Sequence, residues 1–130
     1  GQPNANLMGV MHPEKLSKKL NDYDGYLLCY KPDAELNSGS NSHKILEYLS
    51  FGKVLIANKV GSYQNNKDII LMAEREDNSD YVKLFNSAIE KLDELNAEVS
   101  IKKRRNFALA NTYSNQLMRI EELIGKSLKN

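Results

Sequence analysis

The chain has little with which to hold a metal, cross a membrane or grip a polyanion. Its single cysteine, Cys29, excludes an internal disulfide and fits a reducing compartment. Two histidines and one cysteine, none at ligand spacing, argue against a structural zinc site and leave no metal to assign. No run approaches the ~18 apolar residues of a spanning helix, and no basic-then-apolar start suggests a signal peptide. A net charge of +1 gives no electrostatic basis for nucleic acid or an anionic membrane as the main partner. No G-x-G-x-x-G follows a strand, since neither Gly9 nor Gly25 starts such a run, which argues against a dehydrogenase-like nucleotide domain. No acidic cluster lies near Val10, where a receiver-type signalling domain needs one at the end of its first strand.

What remains is a globular composition. Of 130 residues 41% are hydrophobic and 27% charged, with seven tyrosines. That length supports one domain and not two independent cores, so residues 1–130 read as a single domain in a soluble, cytoplasmic protein.

Periodicity gives alternating elements and no repeat. Leu7 to Met11 is a candidate strand. His12-Pro13-Glu14 opens a helix, with proline early where its missing donor costs nothing and with Leu16 and Leu20 as a thin apolar stripe. Asn21, Asp22 and Asp24 end it, and Gly25 to Tyr30 reads as a buried strand. Further strands are expected at Val54 to Asn58 and Asp68 to Met72, with a turn at Val60-Gly61-Ser62. Then the pattern turns helical. Asn78, Ser79 and Asp80 are cap candidates before a stripe of Val82, Phe85, Ile89 and Leu92. A second helix covers about Val99 to Ala110, and Ser114 caps a last one carrying Leu117, Ile120, Leu123, Ile124 and Leu128. Strands alternating with helical crossovers imply an α/β fold: a partial Rossmann-like three-layer arrangement with a short parallel sheet and a helical C-terminal end. Ligands on such sheets bind beyond the carboxyl ends of the strands, where the loop after Tyr30 and the turn after Asn58 lie.

The densest signal is Ser42 to Asn58, SHKILEYLSFGKVLIAN. A small polar loop, Asn37 to Ser42, leads into a helix on which Lys44 and Glu47, three residues apart, are neighbours. Ile45, Leu46 and Leu49 supply its apolar side. Gly52 stops it in the left-handed conformation, and Val54 to Ala57 form a covered strand. A cation and a carboxylate at a helix start suit a ligand with phosphate at one end and sugar hydroxyls at the other.

These residues resemble the donor-binding helix of retaining glycosyltransferases of the GT-B type, the group 1 glycosyl transferase family. Ser42 to Val54 follows its pattern, roughly Pro-Asn/Thr-Lys-Leu-Phe-Glu-Tyr-Leu-Ala-Ala-Gly-Lys-Pro-Val, nearly in step. Met8-Gly9-Val10 with His12 to Leu16, Asp22 to Tyr30, and Asn111 to Ser114 are similar to further segments of it. The resemblance implies that Lys44 faces the nucleotide diphosphate and Glu47 holds ribose hydroxyls. It also implies the distal part of a nucleotide-sugar-binding domain, whose acceptor domain lies outside this chain, in a metal-independent hexosyl-type enzyme making a surface polysaccharide or glycoconjugate. No cofactor beyond the donor is implied. Tyr30, Asn41, Ser42 and His43 complete the expected donor surface, with His43 capping the helix or lining the pocket. Where many relatives carry a glutamate eight residues before the helix glutamate, this chain has Gly39.

Plainer readings stand beside these. Lys44 and Glu47 also fit a solvated pair, the loop an ordinary connection, and the whole a non-catalytic α/β interaction domain or a degenerate transferase scaffold. Cys29, between Leu28 and Tyr30, reads as a buried structural thiol. His12 reads as a turn residue. Lys102-Lys103-Arg104-Arg105, just after Glu90, Asp93, Glu94 and Glu98, reads as a solvated face. The Leu117–Leu128 stripe reads as core or interdomain packing.

Overall fold

The computed structural model describes residues 2–30 and 43–128. In order these form α1 (Pro13–Leu20), β1 (Gly25–Leu28), α2 (His43–Phe51), β2 (Val54–Ala57), a 3₁₀ turn (Gly61–Tyr63), β3 (Leu71–Met72), α3 (Tyr81–Glu90), α4 (Leu92–Leu95), α5 (Glu98–Ala110) and α6 (Tyr113–Leu128). The three strands make one parallel sheet in the order β1-β2-β3. Gly25 pairs with Val54 and Leu28 with Ala57, while Ile56 pairs with Leu71. The fold is therefore α/β with a short parallel sheet between helices.

Alternation along the strands separates two cores. Tyr26, Leu28, Leu55 and Ala57 face one side and pack with Leu20 of α1, Ile45 and Leu49 of α2 and Ala108 of α5. Val54 and Ile56 face the other and pack with Ala88 of α3, flanked by Leu84, Phe85, Leu92 and Leu95. Ile45, Leu49 and Leu55 are fully covered, each contributing about 1.5–3 kcal/mol. The second layer covers β2 and leaves β1 bare. Leu27 and Cys29 share that uncovered side and are exposed. The expectation of a buried thiol is thus corrected: β1 is covered on one face only.

Side-chain amides tie the strand ends. At the amino ends, Asn96 accepts from the Val54 N–H (2.8 Å) and donates to the Asp24 carbonyl (2.6 Å). At the carboxyl ends, Asn58, 1% exposed, accepts from the Tyr30 N–H (3.1 Å) and donates to the Tyr30 carbonyl (3.2 Å). The Tyr81 hydroxyl reaches the Ile56 carbonyl at 3.1 Å, and burial pushes its phenol up to about 12, so it stays a donor.

Other expectations shift. Leu7 to Met11 forms no strand: Leu7 and Val10 stand fully exposed, and Gly9 has φ +67°. An apolar alternation makes a strand only where a neighbour accepts its backbone bonds. β3 keeps only Leu71–Met72, because Ile69 and Ile70 hydrogen-bond back to Asn66 in a turn. On α3 the packed face is Tyr81, Leu84, Phe85 and Ala88, while Val82 and Ile89 point to solvent. The Tyr81 hydroxyl bond to the sheet sets that rotation, and Ala88 admits the close approach. Asp80 precedes α3 without capping it; its Oδ2 accepts instead from the Glu74 N–H at 2.8 Å. α6 starts at Tyr113, ahead of Ser114, with the Thr112 hydroxyl accepting from Asn115 N–H at 3.4 Å. Leu117, Ile120, Leu123 and Ile124 are exposed, so they are not core.

The basic run is the largest correction. Arg104 is 4% exposed, donating from Nε to the Ile69 carbonyl (3.2 Å) and from Nη1 to the Gly52 carbonyl (3.0 Å). It is a buried tie between α5 and two loops, and the rest of the run only flanks it. Lys103 pairs with Asp68, and Arg105 donates to the Phe51 carbonyl at 3.2 Å.

Candidate functional site

α2 carries three residues of the expected site, His43, Lys44 and Glu47, and its two ends are built differently. Gly52 terminates it at φ +84°, and its amide bonds the Leu49 carbonyl. A Cβ there would lie 2.6 Å from Ile101 Cγ2 and 3.1 Å from the Ile101 carbonyl oxygen. Only glycine meets both the left-handed backbone and the close approach of α5. Packing of α5 on the buried side of α2 turns the residues on its opposite flank toward solvent.

Lys44 and Glu47 are on that solvent flank. Lys44 Nζ lies 3.0 Å from Glu47 Oε2, and the side chains are 47% and 42% exposed. The hydrogen bond to Glu47 raises the Lys44 pKa above its ordinary value, helped by the carboxylate charge and by the Tyr48 and Tyr30 phenols. Nζ also sits 5.9 Å from the centroid of the Tyr48 ring, within cation–π range. Tyr48 stacks on Tyr26 with centroids 4.8 Å apart and planes 8° from parallel. The Tyr26 hydroxyl donates to the Leu20 carbonyl at 2.7 Å, so the stack is anchored in the core.

Beside the pair runs a groove of about 510 Å³ between α2, the end of α5 and the start of α6. His43, Leu46, Glu47 and Ser50 form one wall, and Arg105, Ala108 and Leu109 the other. Asn111, Thr112, Tyr113 and Gln116 close it. The spacing explains the wall: residues 43, 46, 47 and 50 fall on one side of a 3.6-residue helix, with 44 and 48 one step round. Glu47 therefore touches both the groove and Lys44. The apolar part of the lining comes from Leu46, Ala108 and Leu109, and the polar part from a carboxylate, a guanidinium, an imidazole and hydroxyls. Such a lining suits a part-apolar ligand fixed by a few polar contacts.

Of the residues expected at a donor surface, His43 and Glu47 line the groove together, and His43 is the first residue of α2. Lys44 joins them through Glu47. Tyr30 is half-buried against the first core, with its backbone clamped by Asn58 and its carbonyl also bonded by Asn78 Nδ2 at 3.3 Å. It stands at the carboxyl end of the sheet but does not line the groove. Asn41 and Ser42 lie outside the described residues, as does Gly39.

Arg105, Thr112, Tyr113 and Gln116 were not read as site residues from sequence. The Asn111-Thr112-Tyr113-Ser114 junction was the one signal that pointed near them. A second groove of about 500 Å³ lies on the opposite face beside β3, lined by Lys67, Glu74, Asp80, Lys83 and Ser87 among others. Among the described residues no helix is long and apolar enough to cross a membrane. Comparison with protein-family models, with curated proteins and with solved structures finds no match to this chain.

Proposed function

We propose that this chain is the nucleotide-diphosphate-sugar-binding portion of a GT-B type glycosyltransferase, transferring a hexose to a glycan or glycoconjugate acceptor without a metal. The observation that carries the reading is the Glu47 carboxylate, which lies on a groove at the start of α2 while paired with a cation at 3.0 Å. A carboxylate accepts hydrogen bonds from the vicinal hydroxyls of ribose, which is the role the family pattern gives Glu47. The amino end of α2 offers backbone N–H groups and a favourable dipole to an anion such as a diphosphate. Lys44 adds positive charge behind that carboxylate. Sugar transfer requires stabilisation of the departing nucleoside diphosphate, which oriented amides and cations supply. His43 and the apolar lining of the groove give the remainder of the donor a surface to lie on. The same reading puts the protein in the cytoplasm and assigns the acceptor groups to a partner domain. The purified 130-residue chain then binds donor without transferring it.

Ligand-observed NMR with UDP, GDP, ADP and their hexose conjugates tests this. One base series is expected to bind, and Glu47→Ala should weaken it about tenfold or more, as loss of a charge-assisted bond does. Absence of binding by all three series, or unchanged affinity in Glu47→Ala, would remove the assignment.

A further inference from the structure

We infer that Lys44 serves the groove through Glu47, as a positioning residue that fixes the carboxylate, and does not itself touch the ligand; this rests on the nucleotide-sugar reading above. The family pattern would send the ammonium group to the diphosphate. The geometry divides the work differently.

Glu47 is on the groove wall with His43, Leu46 and Ser50, whereas Lys44 is absent from that wall. Its Nζ is held from two sides, by Glu47 Oε2 at 3.0 Å and by the face of Tyr48 at 5.9 Å. Tyr48 cannot follow Lys44 toward the groove, because its ring is stacked on Tyr26 and Tyr26 is tied to Leu20. To reach a ligand over the groove, Lys44 would have to leave both neighbours. Where it stands, it engages one carboxylate oxygen and leaves Oε1 with its lone pairs for ligand hydroxyls. An exposed ion pair stabilises a fold very little, so holding α2 together does not account for this contact. Its consequence is orientational: a glutamate that would otherwise sample several rotamers is held at the groove edge before the ligand arrives.

The two roles separate on nucleosides. Uridine, guanosine and adenosine, with their 5′-diphosphates, are titrated into wild type, Lys44→Ala, Lys44→Arg, Glu47→Gln and the Lys44→Ala/Glu47→Gln double variant. For the base that binds, Lys44→Ala should weaken nucleoside and diphosphate by the same factor, roughly threefold. Lys44→Arg should restore both, and Lys44→Ala should add nothing in the Glu47→Gln background. A loss confined to the diphosphate, about tenfold or more, would make Lys44 a direct phosphate ligand and overturn the inference. Additive losses in the double variant, or no recovery with arginine, would overturn it too. If wild type binds none of the six compounds, the nucleotide-sugar reading itself fails, an outcome distinct from either of these.

Discussion

The two ends of α2 differ in what they are built to do. At its carboxyl end, Gly52, Arg104 and Ile101 meet in a packed junction: a left-handed glycine, a guanidinium shared by two carbonyls, and no room for a Cβ. At its amino end, Lys44, Glu47 and His43 stand exposed beside a groove, and the Lys44–Glu47 contact is worth little to the fold. One nine-residue helix thus carries a stability determinant and a candidate recognition surface about two turns apart. The packed end explains how the open end keeps a fixed geometry without spending core residues on it.

The contrast can be broken at the packed end first. Arg104→Ala leaves the Ile69 and Gly52 carbonyls buried without their donors, and should lower unfolding free energy by about 2–5 kcal/mol in urea titrations. A loss below about 0.5 kcal/mol would mean the guanidinium is dispensable. Gly52→Ala forces a Cβ into Ile101 at φ +84° and should cost about 1–3 kcal/mol by the same measurement. At the open end the expectation reverses. Glu47→Ala should change stability by less than about 0.5 kcal/mol while reducing donor binding. A Glu47→Ala chain that unfolds as readily as Arg104→Ala would merge the two ends into one structural unit.

Much of this contrast was legible in the sequence. The Gly52 stop, the apolar face of Ile45 and Leu49, the covered Val54–Ala57 strand and the Lys44–Glu47 adjacency all follow from local rules of spacing and backbone preference. What sequence could not supply came from long-range packing. Arg104 sits in a run of four basic residues, and nothing local distinguishes the one whose guanidinium meets two carbonyls from distant loops. Val82 and Phe85 share a helical stripe with Ile89, yet a hydroxyl bond from Tyr81 to the sheet rotates that helix by about one position. Cys29 lies among apolar neighbours, but burial there requires a helix over β1 that α3 does not provide. Leu7 to Met11 alternates like a strand and lacks an adjacent strand to pair with. On the candidate site, helical spacing puts His43 and Glu47 on one side of α2, while the α5–α6 wall with Arg105 and Tyr113 depends on a helix crossing that no local pattern encodes.

The most direct test of the central claim, that the Glu47 side of α2 is where a nucleotide sugar is held, is amide chemical-shift mapping of the labelled chain. The bound nucleoside diphosphate sugar should perturb residues 43–50 and 105–116 and leave residues 67–87 unchanged. Perturbations centred on the Lys67–Ser87 groove across the sheet, with α2 silent, would contradict it.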